Sequence, residues 1–89
     1  MIDALTRNVM VRGRRTSIRL EAAFWSTLDE ILERERINLN GLVHRIDAAH
    51  RGRSNLSAAV RVFIYSYIFA QAHQQAPPLP PVQLPRALN

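Results

Sequence analysis

Three polar side chains, Arg15, Ser17 and Arg19, alternate with Thr16, Ile18 and Leu20 in the stretch of residues 14–20. Successive side chains of a β-strand point to opposite faces, so these three would share one face. Ile18 and Leu20 would share the other face and need a core. An arginine can bond guanine O6 and N7 together, and a serine hydroxyl can bond several base edges. The spacing therefore predicts a strand that packs through one face and reads DNA bases with the other.

Four more arginines are expected to contact DNA phosphates. Arg14 lies at the start of the predicted strand, where a long flexible side chain can reach the DNA backbone, and Arg12 lies two residues before it. Arg51 and Arg53 belong to a basic turn between two predicted helices. All 12 basic residues of the chain are arginines, which suits bidentate contact with phosphate or guanine, although a GC-rich genome would produce the same bias.

Positive charge is concentrated at the strand end of the chain. Residues 1–20 contain five arginines and one acid, whereas residues 21–36 contain five acids and two arginines. A cationic segment of this kind favours a polyanionic partner. The acid-rich face of the following helix is expected to point away from DNA.

A single short strand leaves its backbone N–H and C=O groups unpaired along both edges. No other stretch of the chain alternates convincingly, although residues 9–11 could extend the strand backwards past a kink at Gly13. The sequence therefore predicts one strand per chain, paired with the same strand of a second copy. Residues 1–8 are expected to form a flexible arm, and residues 9–72 the domain.

Three helices are predicted after the strand, because the apolar period changes from two to about 3.6. The first covers residues 21–36, and the second ends at about His50. Asn38 is the expected N-cap of the second helix, and Asn55 or Ser54 that of the third. The third helix is apolar over most of its circumference, so we expect it to lie between subunits. Its buried side is predicted to carry Leu56, Ala59, Val60, Phe63, Ile64, Tyr67 and Ile68.

The apolar positions of strand and helices predict a core that two chains share. A chain of 89 residues buries a modest fraction of its surface alone, and a dimer would ease that shortage. A tetramer through the third helix is a further option. The residues assigned to the dimer core are Ile18, Leu20, Trp25, Leu28, Leu42, Ile46 and Phe63.

Metal and enzyme chemistry receive little support. Without cysteine there is no thiolate zinc site, and no Gly-rich phosphate loop or acid–His pocket suggests catalysis, so neither a cofactor nor an enzyme is expected. His44, Asp47 and His50 follow each other at three-residue steps, which turn about 300° and 600° around a helix. His50 therefore lies well round from His44. An ordinary solvated pair of His44 and Asp47 is expected.

The longest apolar-leaning run, residues 58–72, is shorter than the roughly 20 residues that span a bilayer. The N-terminus does not have the pattern of a signal peptide. An intracellular protein without a membrane partner is therefore expected. All five prolines lie in residues 74–89, so residues 73–89 are predicted to form a disordered tail that could dock on a protein partner.

The chain resembles the Arc/MetJ-like ribbon-helix-helix family, and most closely a small bacterial subgroup of it. The resemblance covers residues 9–69. The residues that carry it are Gly13-Arg14-Arg15-Thr16-Ser17-Ile18-Arg19-Leu20-Glu21, Phe24-Trp25, Leu28, Leu39-Asn40, Leu42, Asn55-Leu56-Ser57 and Arg61-Val62-Phe63.

The resemblance implies a mainly α protein that forms an intertwined dimer, with an intermolecular antiparallel two-stranded ribbon in the DNA major groove. It also implies that the start of the second helix, with Asn38 and Asn40, holds a phosphate. Many family members have a Ser or Thr cap and a Glu there, which this chain lacks. The function implied is that of a sequence-specific transcriptional regulator, expected to be a repressor in the bacterial cytoplasm and on the nucleoid when bound.

An antitoxin or other interaction module is the alternative function. In that case the C-terminal region, residues 70–89, would bind a protein partner while the ribbon bound DNA. Antitoxin tails usually alternate acidic and apolar residues, whereas this tail contains no acid. Its prolines also oppose helix formation on a partner.

Overall fold

The computed structural model describes residues 3–50 and 55–82 of the chain. The elements are β1 (Ala4–Val11), β2 (Arg14–Glu21), α1 (Ala22–Glu35), α2 (Leu39–His50) and α3 (Leu56–Ala72). The strands form a two-stranded antiparallel sheet, one face of which is buried with the helices. The fold is thus a ribbon followed by helices, as the sequence predicts.

The sheet is a hairpin within one chain. Its register places Val11 opposite Arg14 beside the turn. The two turn residues, Arg12 and Gly13, have φ angles of 51° and 73°. A two-residue type I′ turn needs positive φ at both central positions, and its twist matches that of the strands it joins.

β1 corrects the expectation of one strand per chain. Residues 4–8, expected to belong to a flexible arm, lie in this strand. The sequence signal is weak because Arg7 occupies an inward position, opposite Ile18, and interrupts the apolar alternation of this strand. β2 has its hydrogen-bonding partner within the same chain, so its backbone does not require a second copy. An intermolecular ribbon remains a prediction.

The core lies between the hairpin and the helices. The seven residues that we assigned to a dimer core are all buried within a single chain: Ile18, Leu20, Trp25, Leu28, Leu42, Ile46 and Phe63. One chain is therefore enough to remove them from water. A surface for a second copy has to be sought among the residues that remain exposed.

α1 and α2 are joined by a short, well-capped connection. Arg36 ends α1 in the left-handed conformation, with φ 57° and ψ 46°. The Ile37 N–H then donates to Leu32 O at 3.0 Å, which satisfies one of the last carbonyls of the helix. Asn38 follows immediately as the cap of α2, so the direction of the chain between the helices is fixed.

Asn55 is the N-cap of α3, and its Oδ1 accepts a hydrogen bond from the Ala58 N–H at 3.2 Å. This confirms one of the two predicted caps; Ser54 lies outside the described residues. Ile68 is 44% exposed, contrary to our expectation, because the buried side of α3 turns through Ile64, Tyr67 and Ala70 instead. None of the described helices is long and apolar enough to cross a membrane.

The chain reverses direction after α3. Gln74 has a φ of 54°, and the Gln75 N–H donates to Ala70 O at 2.8 Å. Residues 75–82 then run without helix or strand, as their prolines require. Leu79 packs against the core, whereas we expected a disordered segment from residue 73 onward. Proline restricts the free chain, so docking an extended segment of this kind costs little entropy.

Candidate nucleic-acid interface

One face of the hairpin is exposed along its length. On β2 it carries Arg15, Ser17 and Arg19, all of them exposed. The side chains of opposite parity point inward: Ile18 and Leu20 are completely buried, and Thr16 is half-buried. The alternation that the sequence predicts is therefore present, and burial of the apolar face fixes which side chains point outward.

β1 contributes the other half of this exposed face, which sequence reasoning missed. The three residues of β2 and their three cross-strand partners on β1 together form what we call the outer face. Its cross-strand pairs are Thr6 with Arg19, Asn8 with Ser17, and Met10 with Arg15. The available sequence signal was Val9 and Val11, two apolar residues at alternate positions, and both of them are buried in the structure.

Acidic side chains neutralise three arginines away from the outer face. These ion pairs are Arg7 with Asp29 at 2.8 Å, Arg12 with Asp47 at 3.1 Å, and Arg61 with Glu21 at 3.1 Å. Within residues 3–50 and 55–82, neither Arg15 nor Arg19 forms an ion pair with an acid. Their charge is therefore available to an anion from outside.

Two of these carboxylates are stabilised in their ionised form. Hydrogen bonds from Arg7 lower the pKa of Asp29, with a smaller Coulombic contribution from the same guanidinium. Hydrogen bonds from Arg61 lower the pKa of Glu21. Arg7 also lies over the Trp25 ring, with its guanidinium carbon 4.3 Å from the ring centroid. These contacts explain how an arginine can occupy an inward position of β1.

Side chains near the N-termini of two helices form hydrogen bonds with the backbone of the hairpin on either side. On β1, the Met10 N–H donates to Asn40 Oδ1 at 3.2 Å. On β2, the Arg19 N–H donates to Ser57 Oγ at 3.1 Å, and Arg61 donates to Arg19 O at 3.3 Å. The N-terminus of α2 therefore lies beside β1, and that of α3 beside β2.

The start of α2 is a capped helix N-terminus. Asn38 Oδ1 accepts from the Gly41 N–H at 2.7 Å, which confirms the predicted cap. The first N–H groups of a helix have no acceptor within it and carry the positive end of the helix dipole, so phosphates bind there. Asn40 Oδ1 is already engaged by Met10. Its Nδ2 group is the part of this side chain that can donate to a phosphate.

The other arginines predicted to contact phosphates differ in their surroundings. Arg14 is exposed at the first position of β2. Arg12 is 61% exposed but holds Asp47 through Nε, a contact that the sequence did not suggest. Arg51 and Arg53 lie outside the described residues.

Asp47 is buried and paired with Arg12, so the expectation of a solvated pair of His44 and Asp47 was wrong. His50 Nδ1 lies 2.9 Å from Ile46 O, the carbonyl one turn earlier in its own helix. In the part of the chain that the structure describes, no group of three or more metal-ligating side chains is found.

A second exposed surface lies between α1 and α3. It is a groove of about 520 Å³ with apolar walls that include Phe24, Val62, Tyr65 and Ile68. Val62 and Tyr65 are 62% and 66% exposed. α3 thus buries one side in its own chain and presents a second apolar side outward, as its composition predicts. We call this surface the α1–α3 groove.

A two-stranded ribbon with an exposed cationic face is an arrangement by which proteins enter the DNA major groove. Residues 4–68 match the profile of the ribbon-helix-helix domain family, from the first residue of β1 into α3. The chain belongs to this family, whose members are generally DNA-binding regulators. Comparisons with curated proteins and with solved structures gave no significant match.

Proposed function

We propose that the protein is a sequence-specific transcriptional repressor that places the outer face of its hairpin in the DNA major groove. The observation that carries this proposal is the outer face itself. Six exposed side chains stand on two paired strands, and the two arginines among them form no ion pair with a described acid. Counterion release by such arginines gives affinity for any duplex, and their bidentate bonds to guanine give specificity.

Arg15, Ser17 and Arg19 are the residues that we assign to bases on β2. A strand rises about 3.3 Å per residue, so the two arginines stand roughly 13 Å apart along the ribbon. Base pairs stack at about 3.4 Å, so this separation corresponds to about four base-pair steps. Each arginine can therefore reach a different guanine, with Ser17 between them.

Phosphate contacts flank the ribbon in this proposal. The α2 N-terminus, with Asn38 and Asn40, lies beside β1 and meets one DNA strand. Arg14 meets the backbone near the hairpin tip, and Arg12 joins it with the part of its guanidinium that Asp47 leaves exposed. The phosphate contacts of Arg51 and Arg53 rest on the sequence alone.

A homodimer is the second part of the proposal, and we place its contact at the α1–α3 groove. The core is complete within one chain, whereas Val62 and Tyr65 remain largely exposed. Contact between the apolar sides of two α3 helices would bury these residues and attach two hairpins to one duplex. With each ribbon formed inside one chain, this contact makes a dimer; with a shared ribbon, the same contact would make a tetramer.

The alternative of a protein partner for the C-terminal region gains no specific support. Leu79 of the tail packs against the core of its own chain. A partner that used this segment would first have to displace it.

Paired titrations of each variant against a selected duplex and a scrambled duplex, across a salt series, test the proposal. Arg19→Ala should lose about 1–3 kcal/mol on the selected duplex and much less on the scrambled one. Arg36→Asn is the matched control, since it removes a charge from the end of α1 and keeps a residue that tolerates the left-handed conformation. If Arg19→Ala lost equal binding free energy on both duplexes, the ribbon would make only a sequence-independent electrostatic contact with DNA. Wild type without any preference between the duplexes would refute the function.

A further inference from the structure

We propose that Asn8 and Ser17 act as one base-reading unit at the centre of the outer face and that this unit selects adenine in a site that is not palindromic. The inference rests on the proposed function of the hairpin and deepens it, because it assigns a reading role to β1 and names the base.

The pair occupies the middle of the ribbon. Asn8 stands opposite Ser17, and both are exposed. The Ser17 hydroxyl donates to Asn8 Oδ1 at 2.8 Å, so the two short side chains are joined across the strands. Groups that are already ordered lose less entropy when a ligand arrives. The pair is therefore better suited to direct readout than a flexible side chain at the same position.

The hydrogen bond assigns donor and acceptor roles to the pair. A serine hydroxyl has one proton, and Ser17 gives it to Asn8, so while this hydrogen bond is kept Ser17 Oγ can only accept from DNA. The Asn8 amide keeps a lone pair on Oδ1 and two donor hydrogens on Nδ2. A matching base edge must therefore present a donor and an acceptor side by side.

Adenine is the base whose major-groove edge meets this requirement. It offers the N6 amino group as a donor and N7 as an acceptor, and an asparagine amide can bond both together. Guanine presents two acceptors, so its O6 would face the oxygens of the pair. Cytosine presents only a donor, and thymine presents an acceptor and a methyl group. The donor and acceptor pattern of the pair thus separates adenine from the other three bases.

The outer face has no two-fold axis, because it is built from two different strands. Thr6 is the cross-strand neighbour of Arg19, whereas Met10 is that of Arg15. Met10 is 51% exposed and offers an apolar contact that suits a thymine methyl group. One hairpin therefore reads a sequence whose two halves differ. A ribbon made from the same strand of two copies would instead read a palindrome.

The test uses the full chain and a set of duplexes selected from a random pool. The selected site should contain an adenine at the position flanked by the guanines that Arg15 and Arg19 read, and the sequence on its two sides should differ. Four duplexes that differ only at this base pair are then titrated. Wild type should prefer adenine by about tenfold or more, the factor that one good bidentate contact supplies.

Two substitutions of Asn8 distinguish the pair from a passive surface. Asn8→Ala should bring the affinities for the four duplexes to within a few-fold of each other. Asn8→Asp replaces the donor group by an acceptor, so the preference should move from adenine to cytosine. Glu33→Ala, at an exposed position of α1, is the control and should keep the wild-type preference.

The outcomes separate this inference from the proposed function. If Asn8→Ala keeps the adenine preference, or if the selected site is a palindrome centred on the ribbon, the inference is overturned while DNA binding stands. A wild-type protein that selects no sequence at all overturns the proposed function itself. Should Asn8→Ala prove unstable on heating, the shift of preference in Asn8→Asp remains decisive.

Discussion

Arg12 Nε lies 3.1 Å from Asp47 Oδ2, and this ion pair joins the tip of the hairpin to α2. The Asp47 side chain is 7% exposed, whereas that of Arg12 is 61% exposed. A buried carboxylate without a partner is costly, so the pair fixes the tip against the helix. It holds the outer face in a defined position relative to the N-terminus of α2.

Removal of the Arg12 side chain should therefore destabilise the fold more than removal of the Arg14 side chain. Arg12→Ala leaves the Asp47 carboxylate buried and unpaired, at an expected cost of about 1–3 kcal/mol in the free energy of unfolding. Arg14→Ala is the control and should stay within about 0.5 kcal/mol of wild type. Urea unfolding measures both. Equal effects of the two substitutions would show that the ion pair contributes nothing to stability.

Substitution by alanine should destabilise the protein at Gly13, in the hairpin turn, and at Gly41, in α2, for different reasons. A Cβ at Gly13 would meet nothing within 4 Å, so Gly13→Ala should cost about 1 kcal/mol only through its φ of 73°. A Cβ at Gly41 would lie 3.1 Å from Asn38 Oδ1 and press on the cap of α2. Gly13→Asn should recover most of the loss, because asparagine tolerates positive φ, whereas Gly41→Asn should not. Thermal unfolding of the four variants tests this pattern; recovery at both sites would contradict it.

The cap of α2 should affect stability and DNA affinity together. Asn38→Ala removes the acceptor of the Gly41 N–H and should cost about 1 kcal/mol, while Asn38→Ser keeps a cap. If the α2 N-terminus holds a phosphate, Asn38→Ala also weakens binding to selected and scrambled duplexes by the same factor. Unchanged melting and unchanged affinity would remove Asn38 from this role.

Asp29 should contribute stability that depends on pH. Hydrogen bonds from Arg7 lower its pKa from the ordinary value of 3.8, so the folded state favours the ionised carboxylate. The contribution is present above that value and is lost as the pH falls through the lowered pKa. Asp29→Asn should therefore be less stable than wild type near neutral pH, and the difference should shrink in acid. Glu30→Gln, which removes an exposed acid without a described ion pair, is the control for general charge effects. A difference that does not change with pH would exclude this contribution.

A charge in the α1–α3 groove should prevent dimer formation. Tyr65 is 66% exposed, so Tyr65→Glu leaves the core of the single chain intact but places a carboxylate in the proposed contact. Gln71→Glu introduces the same charge at an exposed position of α3 outside the groove lining. Sedimentation should show Tyr65→Glu as a folded monomer at concentrations where wild type and Gln71→Glu are dimers. A folded wild-type monomer at low micromolar concentration would refute the dimer.

Features that depend only on residues close together in the sequence were predictable. The alternation of Arg15, Ser17 and Arg19 with Ile18 and Leu20 determined the outward side of β2, because side-chain parity follows from the strand backbone alone. The caps at Asn38 and Asn55 were predictable for the same reason, since each bonds an N–H only three residues away. The family likewise followed from the sequence.

Contacts between distant parts of the chain decided the rest. β1 escaped prediction because its inward Arg7 breaks the apolar alternation, and only the packed structure brings Trp25 and Asp29 to that guanidinium. Tertiary structure also decided which arginines are neutralised: Arg12 is held by Asp47, whereas Arg15 is left to face outward. The physical reason is that ion pairs and strand pairing depend on which groups the fold brings together. The types of the neighbouring residues in the sequence do not determine these long-range contacts.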